Sequence, residues 1–189
     1  LYHLIFIVKI KNIMTVCILG NSLTALTLAK TLVNHNINVD LFFNKKNYKI
    51  SDSRTIGIAN NNVYFFNNNI INIEKIIWKL KRIEIFSDNL KKERLIHFKA
   101  EKDYLFSIVK NNQLYQLLEK DLSKNKFFRS KFSNEKNISF LDKYELVINC
   151  DSSNFITKQY FSKKIIKKYN SNAYTTIIKH DQILNDTAF

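Results

Sequence analysis

The sequence predicts an α/β fold, because apolar runs and a helical pattern follow one another in the order typical of a parallel sheet. Residues 15–44 give a strand over Val16–Leu19, a helix, and a second strand over Ile37–Phe43. The helix is indicated by apolar side chains spaced along one face: Leu23, Leu26, Leu28, Ala29, Leu32 and Val33. A further apolar strand, Leu146–Cys150, could return to the same sheet.

The turn between the first strand and the helix has the spacing of a dinucleotide-binding motif. The six residues Gly20–Ala25 fit the pattern G-x-G-x-x-G, with Ser22 and Ala25 in place of its second and third glycines. Backbone N–H groups, including that of Asn21, and the positive end of the helix would stabilise a pyrophosphate there. The hydroxyl of Ser22 could donate to a phosphate oxygen. The motif favours a Rossmann-like nucleotide-binding unit, and a plain βαβ core is the alternative.

The composition limits how much the missing glycines mean. The chain has 189 residues, 46% of them hydrophobic, which is enough for a packed core in one large domain or somewhat more. It contains two glycines and no proline, and Asn, Lys and Ile dominate. This bias is typical of drift in an AT-rich genome. We therefore expect Asn to replace Gly in turns, since Asn tolerates left-handed backbone conformations.

A net charge of +14 leaves three interpretations open. The lysines are spread along the chain, so a solvated basic surface is one; attraction to anionic lipid head groups and nucleic-acid binding are the others. Cys17 and Cys150 lie in apolar runs and predict buried, reduced thiols, as in a cytoplasmic protein. The four histidines have no metal-ligand spacing, so no metal site is predicted.

Further elements follow from the same patterns. We predict helices over Asn60–Asn69, Asn72–Leu80 and Asn111–Leu122, and strands over Arg82–Phe86, Arg94–Phe98, Leu105–Val109, Phe127–Phe132, Asn137–Leu141 and Ala173–Lys179. The helix over 111–122 is expected to pack on the first sheet. The strands near 82–98 and 173–180 are expected to form a separate sheet.

The first 13 residues are expected not to belong to the natural protein. Their apolar run is too short to span a bilayer, and it lacks a signal-peptide cleavage site. Met14 directly precedes the first strand. We therefore interpret Met14 as the natural start and residues 1–13 as translated upstream sequence.

Four stretches together resemble one family: ILGNSLTALTLAKTL, SDSRTIGIANNNVYFF, LFSIVKNNQLYQLL and LVINCDSSNFITK. From about Met14 to Phe189 the chain resembles the N-terminal half of flavin-dependent aromatic hydroxylases, and most of all those of ubiquinone biosynthesis. The resemblance implies an FAD-binding domain interrupted by an antiparallel substrate domain. It divides the chain into FAD-binding parts (14–80 and 105–160) and substrate-domain parts (81–104 and 161–189). Family members are about twice as long, so a truncated fragment is expected.

The resemblance also assigns residues to the cofactor. Gly20, Ser22 and Ala25 fall on the pyrophosphate turn, and Asp52 and Arg54 match an Asp-x-Arg segment whose Arg lies by the flavin. Asn112 falls where the family contacts the flavin chain, although a lone Asn there is more often a helix N-cap. Asp151 matches the Asp of an Asp-Gly motif near the pyrophosphate and ribose. The family's ribose-binding carboxylate falls near Phe43 or Asn44, where no carboxylate stands; Asn44 would supply a hydrogen bond instead.

The activity implied by the resemblance is hydroxylation of a polyprenyl phenol. NAD(P)H would reduce FAD, O2 would react with it, and a hydroxyl group would pass to the ring. The implied partners are a lipophilic phenol and, at the inner membrane, a peripheral membrane or biosynthetic-complex association, without nucleic acid. No catalytic residue can be named. Another FAD- or NAD-binding oxidoreductase, an inactive fragment, and a basic nucleic-acid- or membrane-binding protein are the alternatives.

Overall fold

The computed structural model describes residues 14–43, 53–87, 93–132, 139–161, 186–188, and nine positions between 163 and 174. The helices are α1 (Leu23–Asn34), α2 (Asn60–Phe65), α3 (Asn111–Leu122) and α4 (Phe155–Tyr160). The strands are β1 (Thr15–Leu19), β2 (Asn38–Phe43), β3 (Thr55–Ala59), β4 (Ile77–Leu80), β5 (Arg82–Phe86), β6 (Arg94–Lys99), β7 (Phe106–Lys110), β8 (Phe128–Phe132), β9 (Leu146–Asn149) and β10 (Thr187–Ala188). A π-helical turn covers Phe66–Ile70, and a 3-10 helix covers Ser139–Lys143.

A parallel sheet of four strands, in the order β8-β2-β1-β9, forms the centre of the fold. The predicted strand–helix–strand unit of residues 15–44 is confirmed as β1, α1 and β2. The predicted return of the run 146–150 is also confirmed, since Ile18 of β1 is in register with Ile148 of β9. The carboxyl ends of all four strands therefore lie along the same edge of this sheet.

One face of the central sheet is covered by α1 and α3. The helix predicted over 111–122 is α3, and its stripe residues Leu114, Leu118 and Leu122 are buried in the same core as β1 and β2. The Lys30 ammonium of α1 lies 2.6 Å from the carboxylate of Asp121 in α3. Both helices precede strands of a parallel sheet, α1 before β2 and α3 before β8. Their N-termini therefore face the carboxyl edge.

The other face of the central sheet holds a buried carboxylate. Asp40 of β2 accepts hydrogen bonds from the Tyr144 hydroxyl at 2.6 Å, from Arg129 Nε at 2.6 Å and from Lys131 Nζ at 3.4 Å. Phe42 packs beside it against Phe140 and Tyr144. Both cations come from β8, so Asp40 links β2 to β8 and to the residues that cover this face.

Two smaller sheets complete the fold. β3, β7 and β4 form an antiparallel sheet that continues into α3, and β10, β5 and β6 form the other. The predicted pairing of the strands over 82–86 and 94–98 is confirmed as the β5–β6 hairpin. Its third strand is β10, whereas the strand predicted over 173–179 lies, except for Tyr174, outside the described residues. The assignment of this sheet to a substrate domain stays a prediction.

Two predicted elements are wrong. The segment predicted as a helix over Asn72–Leu80 is a turn followed by β4. Ile77–Leu80 pair with β7 instead of continuing a helix. In the turn, the N–H groups of Ile73 and Glu74 donate to the side-chain oxygens of Asn67 and Asn72. The strand predicted over 137–141 is, where it is described, the start of the 3-10 helix. The helix predicted over 60–69 is confirmed in part, since α2 ends in the π-helical turn.

No helix in the described ranges is both long enough and apolar enough to cross a bilayer. Asn takes a left-handed conformation at Asn36, with φ of 60°, directly after α1, and again at Asn170, with φ of 51°. The expected use of Asn in turns that commonly hold Gly is confirmed at Asn36.

Candidate nucleotide site

The candidate site lies where β1 and β9 end and α1 begins. β1 passes into Gly20, and β9 passes through Cys150 into Asp151. The Cys150 N–H donates to the Leu19 carbonyl oxygen at 2.8 Å, so the two chain ends leave the sheet side by side. The structure thus brings together two segments that are about 130 residues apart in the sequence, at the edge where parallel sheets bind ligands.

Gly20 is buried in this arrangement and has a positive φ of 107°. Its N–H donates to the Phe42 carbonyl oxygen at 2.7 Å, which ties the turn to β2. A Cβ at this position would stand 3.1 Å from the Asp151 Cβ and 3.2 Å from the Cys150 carbonyl carbon. The position requires glycine for two separate reasons: its φ angle and the approach of the Asp151 segment.

Ser22 is the N-cap of α1, and its Oγ accepts a hydrogen bond from the Ala25 N–H at 3.3 Å. The hydroxyl proton remains available to an incoming acceptor. The N–H groups of Leu23 and Thr24 belong to the first helical turn, where a helix supplies no acceptor. No acidic side chain lies in that turn, so the positive end of the helix is not neutralised there.

Hydrogen bonds among its own side chains fix the conformation of the loop around Asp151. Asp151 Oδ1 accepts from the Ser153 N–H at 2.9 Å and from the Ser153 hydroxyl at 2.7 Å. Asn149 and Asn154 exchange amide hydrogen bonds, and Thr157 donates to the Asp151 carbonyl oxygen at 2.9 Å. Asn154 also caps α4 by accepting from the Thr157 N–H. These contacts hold Asp151 against Gly20.

Asn149 and Thr157 were not singled out by the sequence analysis. Asn149 is the one polar side chain in the run Leu146–Cys150, and it stands at the carboxyl end of the strand, where ligand-facing groups are expected. This position at the end of the strand could have identified Asn149 from the sequence. Thr157 gave no comparable signal, because its role depends on the loop that brings it back to Asp151.

Cys150 stands beside the turn but does not supply a thiolate. Burial raises its pKa above the ordinary value, so the thiol stays protonated at neutral pH. Cys17, one strand away, is fully buried, and burial together with the charge of Asp40 raises its pKa to about 12. Within the described ranges, no group of three or more His, Cys, Asp or Glu side chains could hold a metal ion.

Arg54 and Asn112 meet at a second place, the N-terminus of α3. The Asn111 N–H donates to the Arg54 carbonyl oxygen at 3.0 Å, and the Arg54 side chain is exposed. Asn112 is not the N-cap, which is Lys110; its Oδ1 accepts from the Gln113 N–H at 2.8 Å within the first turn. The buried Oδ1 of Asn111 has no hydrogen-bond partner among the described residues. Because α3 begins on the carboxyl side of the central sheet, Arg54 lies on the same side as Gly20.

The ribose position remains without a carboxylate in the described chain. β2 ends at Phe43, whose ring lies edge-on to Phe132 with 5.9 Å between the ring centres. Asn44 and Asp52, predicted near the ribose and in the Asp-x-Arg segment, lie outside the described residues.

The fold has counterparts among solved structures. PqsL of Pseudomonas aeruginosa, solved as a variant, matches 82% of this chain and 47% of its own at 12% identity, with a TM-score of 0.62. A protein of Photorhabdus luminescens designated an FAD-containing monooxygenase matches 79% of this chain and 42% of its own at 16% identity, with a TM-score of 0.57. The p-nitrophenol 4-monooxygenase PnpA of Pseudomonas putida matches 63% of this chain and 32% of its own at 12% identity, with a TM-score of 0.53.

The described part of the chain shares its fold with solved monooxygenases, one of which is designated FAD-containing. The chain spans about a third to a half of the length of these three solved chains. No family profile and no curated protein matches the sequence. At 12–16% identity the three comparisons establish the fold.

The sheet edge at Gly20 fits a pyrophosphate such as that of FAD. The N-terminus of α1 offers unneutralised N–H groups and a hydroxyl proton, which suit an anion. The backbone turn at Gly20 leaves no Cβ between the helix and the Asp151 loop. The Asp151 carboxylate is half-buried beside the turn and suits hydroxyl donors rather than phosphate.

Proposed function

We propose that this chain is the FAD-binding part of a monooxygenase that hydroxylates the aromatic ring of a lipophilic polyprenyl phenol in ubiquinone biosynthesis. NAD(P)H and O2 would be its co-substrates, and the cytoplasm its location. The observation that carries the proposal is the contact between the Gly20 turn and the Asp151 loop at the N-terminus of α1. The monooxygenase fold and the phenol named for PnpA support the reaction class.

Each part of the edge has a distinct role in this proposal. The first turn of α1 and Ser22 bind the pyrophosphate, and the Asp151 carboxylate accepts from sugar hydroxyls. Arg54 and the N-terminus of α3, with Asn112, approach the flavin end of the same molecule. When bound, FAD supplies the redox chemistry that activates O2. The chain's own residues position FAD and exclude water from one side of it.

The proposal is tested first by FAD binding. The purified chain titrated with FAD should quench flavin fluorescence with a saturable curve. Asp151→Asn keeps an oxygen for Ser153 but removes the charge. It should weaken binding about tenfold, because a charged acceptor holds hydroxyl groups more strongly than an amide does.

The control is Asp142→Asn, an exposed carboxylate in the 3-10 helix, which should leave FAD affinity unchanged. Absence of saturable binding to the unaltered chain would contradict the cofactor proposal. Equal affinities for the unaltered chain and Asp151→Asn would contradict the role of Asp151.

The substrate class is tested separately, by NAD(P)H oxidation in the presence of a prenylated phenol. A monooxygenase of this class should oxidise NAD(P)H faster when the phenol is present and should release a hydroxylated product. Oxidation at the same rate with and without phenol would favour the alternative of a different FAD-dependent oxidoreductase.

A further inference from the structure

Asn149, the last residue of β9, makes hydrogen bonds through every polar position of its side-chain amide. Its Oδ1 accepts from the Asp151 N–H at 3.0 Å and from Asn154 Nδ2 at 2.8 Å. Its Nδ2 donates to Thr157 Oγ1 at 2.7 Å and to Asn154 Oδ1 at 3.3 Å. An amide has two donor hydrogens and two acceptor lone pairs. All of them are used, and each partner belongs to the segment that follows the strand.

The partners of Asn149 determine where Asp151 lies. Thr157, which is held by Asn149, donates to the Asp151 carbonyl oxygen at 2.9 Å. Both backbone polar groups of Asp151 are therefore fixed, its N–H by Asn149 directly and its carbonyl oxygen through Thr157. At the carboxylate, Oδ1 accepts from Ser153, so in the described chain Oδ2 remains for a ligand.

Apolar packing supports only part of the Asp151 loop. The loop borders a groove of about 620 Å³, whose wall includes the residues Asn149, Ser152 and Thr157. Ser152 and Ser153 are exposed. A short polar loop with solvent on one side keeps a single conformation only where hydrogen bonds oppose its opening. The amide of Asn149 supplies most of the bonds that can do so.

We propose that Asn149 is a positioning residue that holds the Asp151 carboxylate against the Gly20 turn and thereby sets the affinity of the site for FAD. A carboxylate that is already in place binds a hydroxyl group more tightly, because the loop does not have to be ordered when the ligand arrives. The effect on FAD affinity rests on the proposed cofactor site. The fixing of the loop by Asn149 does not.

Other side chains of similar size cannot replace this amide. An aspartate at position 149 would keep the acceptors, but it could not donate to Thr157, and its charge would repel Asp151. Alanine would offer neither donor nor acceptor. The role therefore depends on the amide and not only on the length of the side chain.

FAD titration tests whether Asn149 acts through Asp151. Asn149→Ala should weaken FAD binding about tenfold, as much as Asp151→Asn, because each change removes the same charged acceptor from its place. The double variant should also lose about tenfold in total, whereas independent contributions would multiply to about 100-fold. A loss of about 100-fold in the double variant would overturn the inference.

Asn125→Ala is the matched control for this titration. Asn125 is also a partly buried asparagine, and its Oδ1 accepts from the Phe127 N–H at 2.9 Å. It lies before β8, at the sheet edge opposite Gly20, so FAD affinity should be unchanged. Equal losses of affinity in Asn149→Ala and Asn125→Ala would show a general effect of destabilisation, and the positioning role would be wrong.

Thiol labelling tests the fixing of the loop without FAD. Cys150 is partly buried beside the loop, whereas Cys17 is fully buried in β1. In Asn149→Ala, Cys150 should react with iodoacetamide about tenfold faster, because the loop opens more often, and Cys17 should react at its former rate. Mass spectrometry of peptides measures each thiol. Faster labelling of both cysteines would indicate a loosening of the whole fold, and an unchanged rate at Cys150 would show a loop held without Asn149. Either result would refute the inference.

The two measurements separate this inference from the proposed function. If the unaltered chain does not bind FAD but the labelling of Cys150 responds to Asn149→Ala, the cofactor proposal fails and the fixing of the loop stands. If FAD binds equally well to the unaltered chain and to Asn149→Ala, the cofactor proposal stands and the positioning role fails.

Discussion

Gly20 owes its conformation to its neighbours as much as to its own flexibility. Its N–H is bound to β2, its φ is positive, and Asp151 closes the space where a side chain would begin. The other glycine, Gly57 in β3, is different: a Cβ there would stand 3.4 Å from the ring of Phe106, a side chain that can move. The two glycines of the chain therefore differ in what they tolerate.

The substitution Gly20→Ala should destabilise the chain by about 1–3 kcal/mol, because the residue must hold a strained φ and displace Asp151. FAD affinity should fall with it, since the Asp151 loop moves away from α1. Urea unfolding and FAD titration measure the two effects. Gly57→Ala is the matched control and should cost less than Gly20→Ala in both measurements. Equal costs would show that crowding at Asp151 has no special effect.

The sequence predicted the site only in part at this scale. The spacing of Gly20–Ala25 predicted a turn, and the resemblance placed Asp151 near it. The links among Asn149, Asn154 and Thr157 could not be predicted, because paired amides depend on how one short loop folds back. The interpretation of Asn112 as a helix N-cap was wrong. Strand β7 extends one residue beyond its apolar run, to Lys110, and Lys110 is the N-cap of α3.

At the scale of elements, β2 and β8 are joined by a buried charge. Burial alone would raise the pKa of Asp40. The hydrogen bonds from Tyr144 and Arg129 and the charge of Lys131 outweigh this effect and hold the pKa below its usual value. A carboxyl with a lowered folded-state pKa stabilises the fold above its unfolded pKa of about 3.9, and this contribution is lost as the pH falls through the folded value.

The variant Asp40→Asn should therefore be less stable than the unaltered chain by about 1–3 kcal/mol at pH 7, because the amide cannot replace the charged acceptor. The difference should shrink as the pH falls below about 4. Urea unfolding at a series of pH values measures it. Asp121→Asn, which removes a half-exposed carboxylate from its ion pair with Lys30, should cost less, about 1 kcal/mol. A cost of Asp40→Asn that is the same at pH 7 and pH 3 would refute the charge as its cause.

The misassigned element shows what periodicity alone cannot decide. Ile73, Ile76, Ile77 and Leu80 have helical spacing, yet Ile73 and Leu80 are buried from a turn and a strand, respectively. The β-branched isoleucines favour a strand, and the partner strand β7, distant in sequence, decides the outcome.

At the scale of the whole molecule, the described sheets differ in protection from solvent. β1 is buried along almost its whole length, whereas every residue of β6 is exposed. The sequence predicted both groups of strands, but not their difference, since Ile96 and Phe98 alternate in β6 as half-buried residues would. Burial of that face depends on what packs against it, which alternation does not reveal.

Hydrogen–deuterium exchange should show this difference. Amides of Arg94–Lys99 should exchange roughly 100-fold faster than those of Val16–Leu19, because little apolar burial opposes opening of the β5–β6 hairpin. Mass spectrometry of peptic peptides measures both segments in one sample, and α3 serves as a protected reference. Equal protection of β6 and β1 would contradict this ranking.

The turns at Asn36 and Gly20 also differ in which residues a bias toward AT-rich codons could introduce. At Asn36 the φ angle is 60°, a conformation that asparagine adopts readily. Asparagine, which has AT-rich codons, therefore fits this position without backbone strain. At Gly20 the angle is 107°, and the Asp151 segment leaves no room for any side chain. A drift toward AT-rich codons is therefore compatible with the structure at Asn36, after α1. At Gly20, after β1, any residue other than glycine would distort the fold.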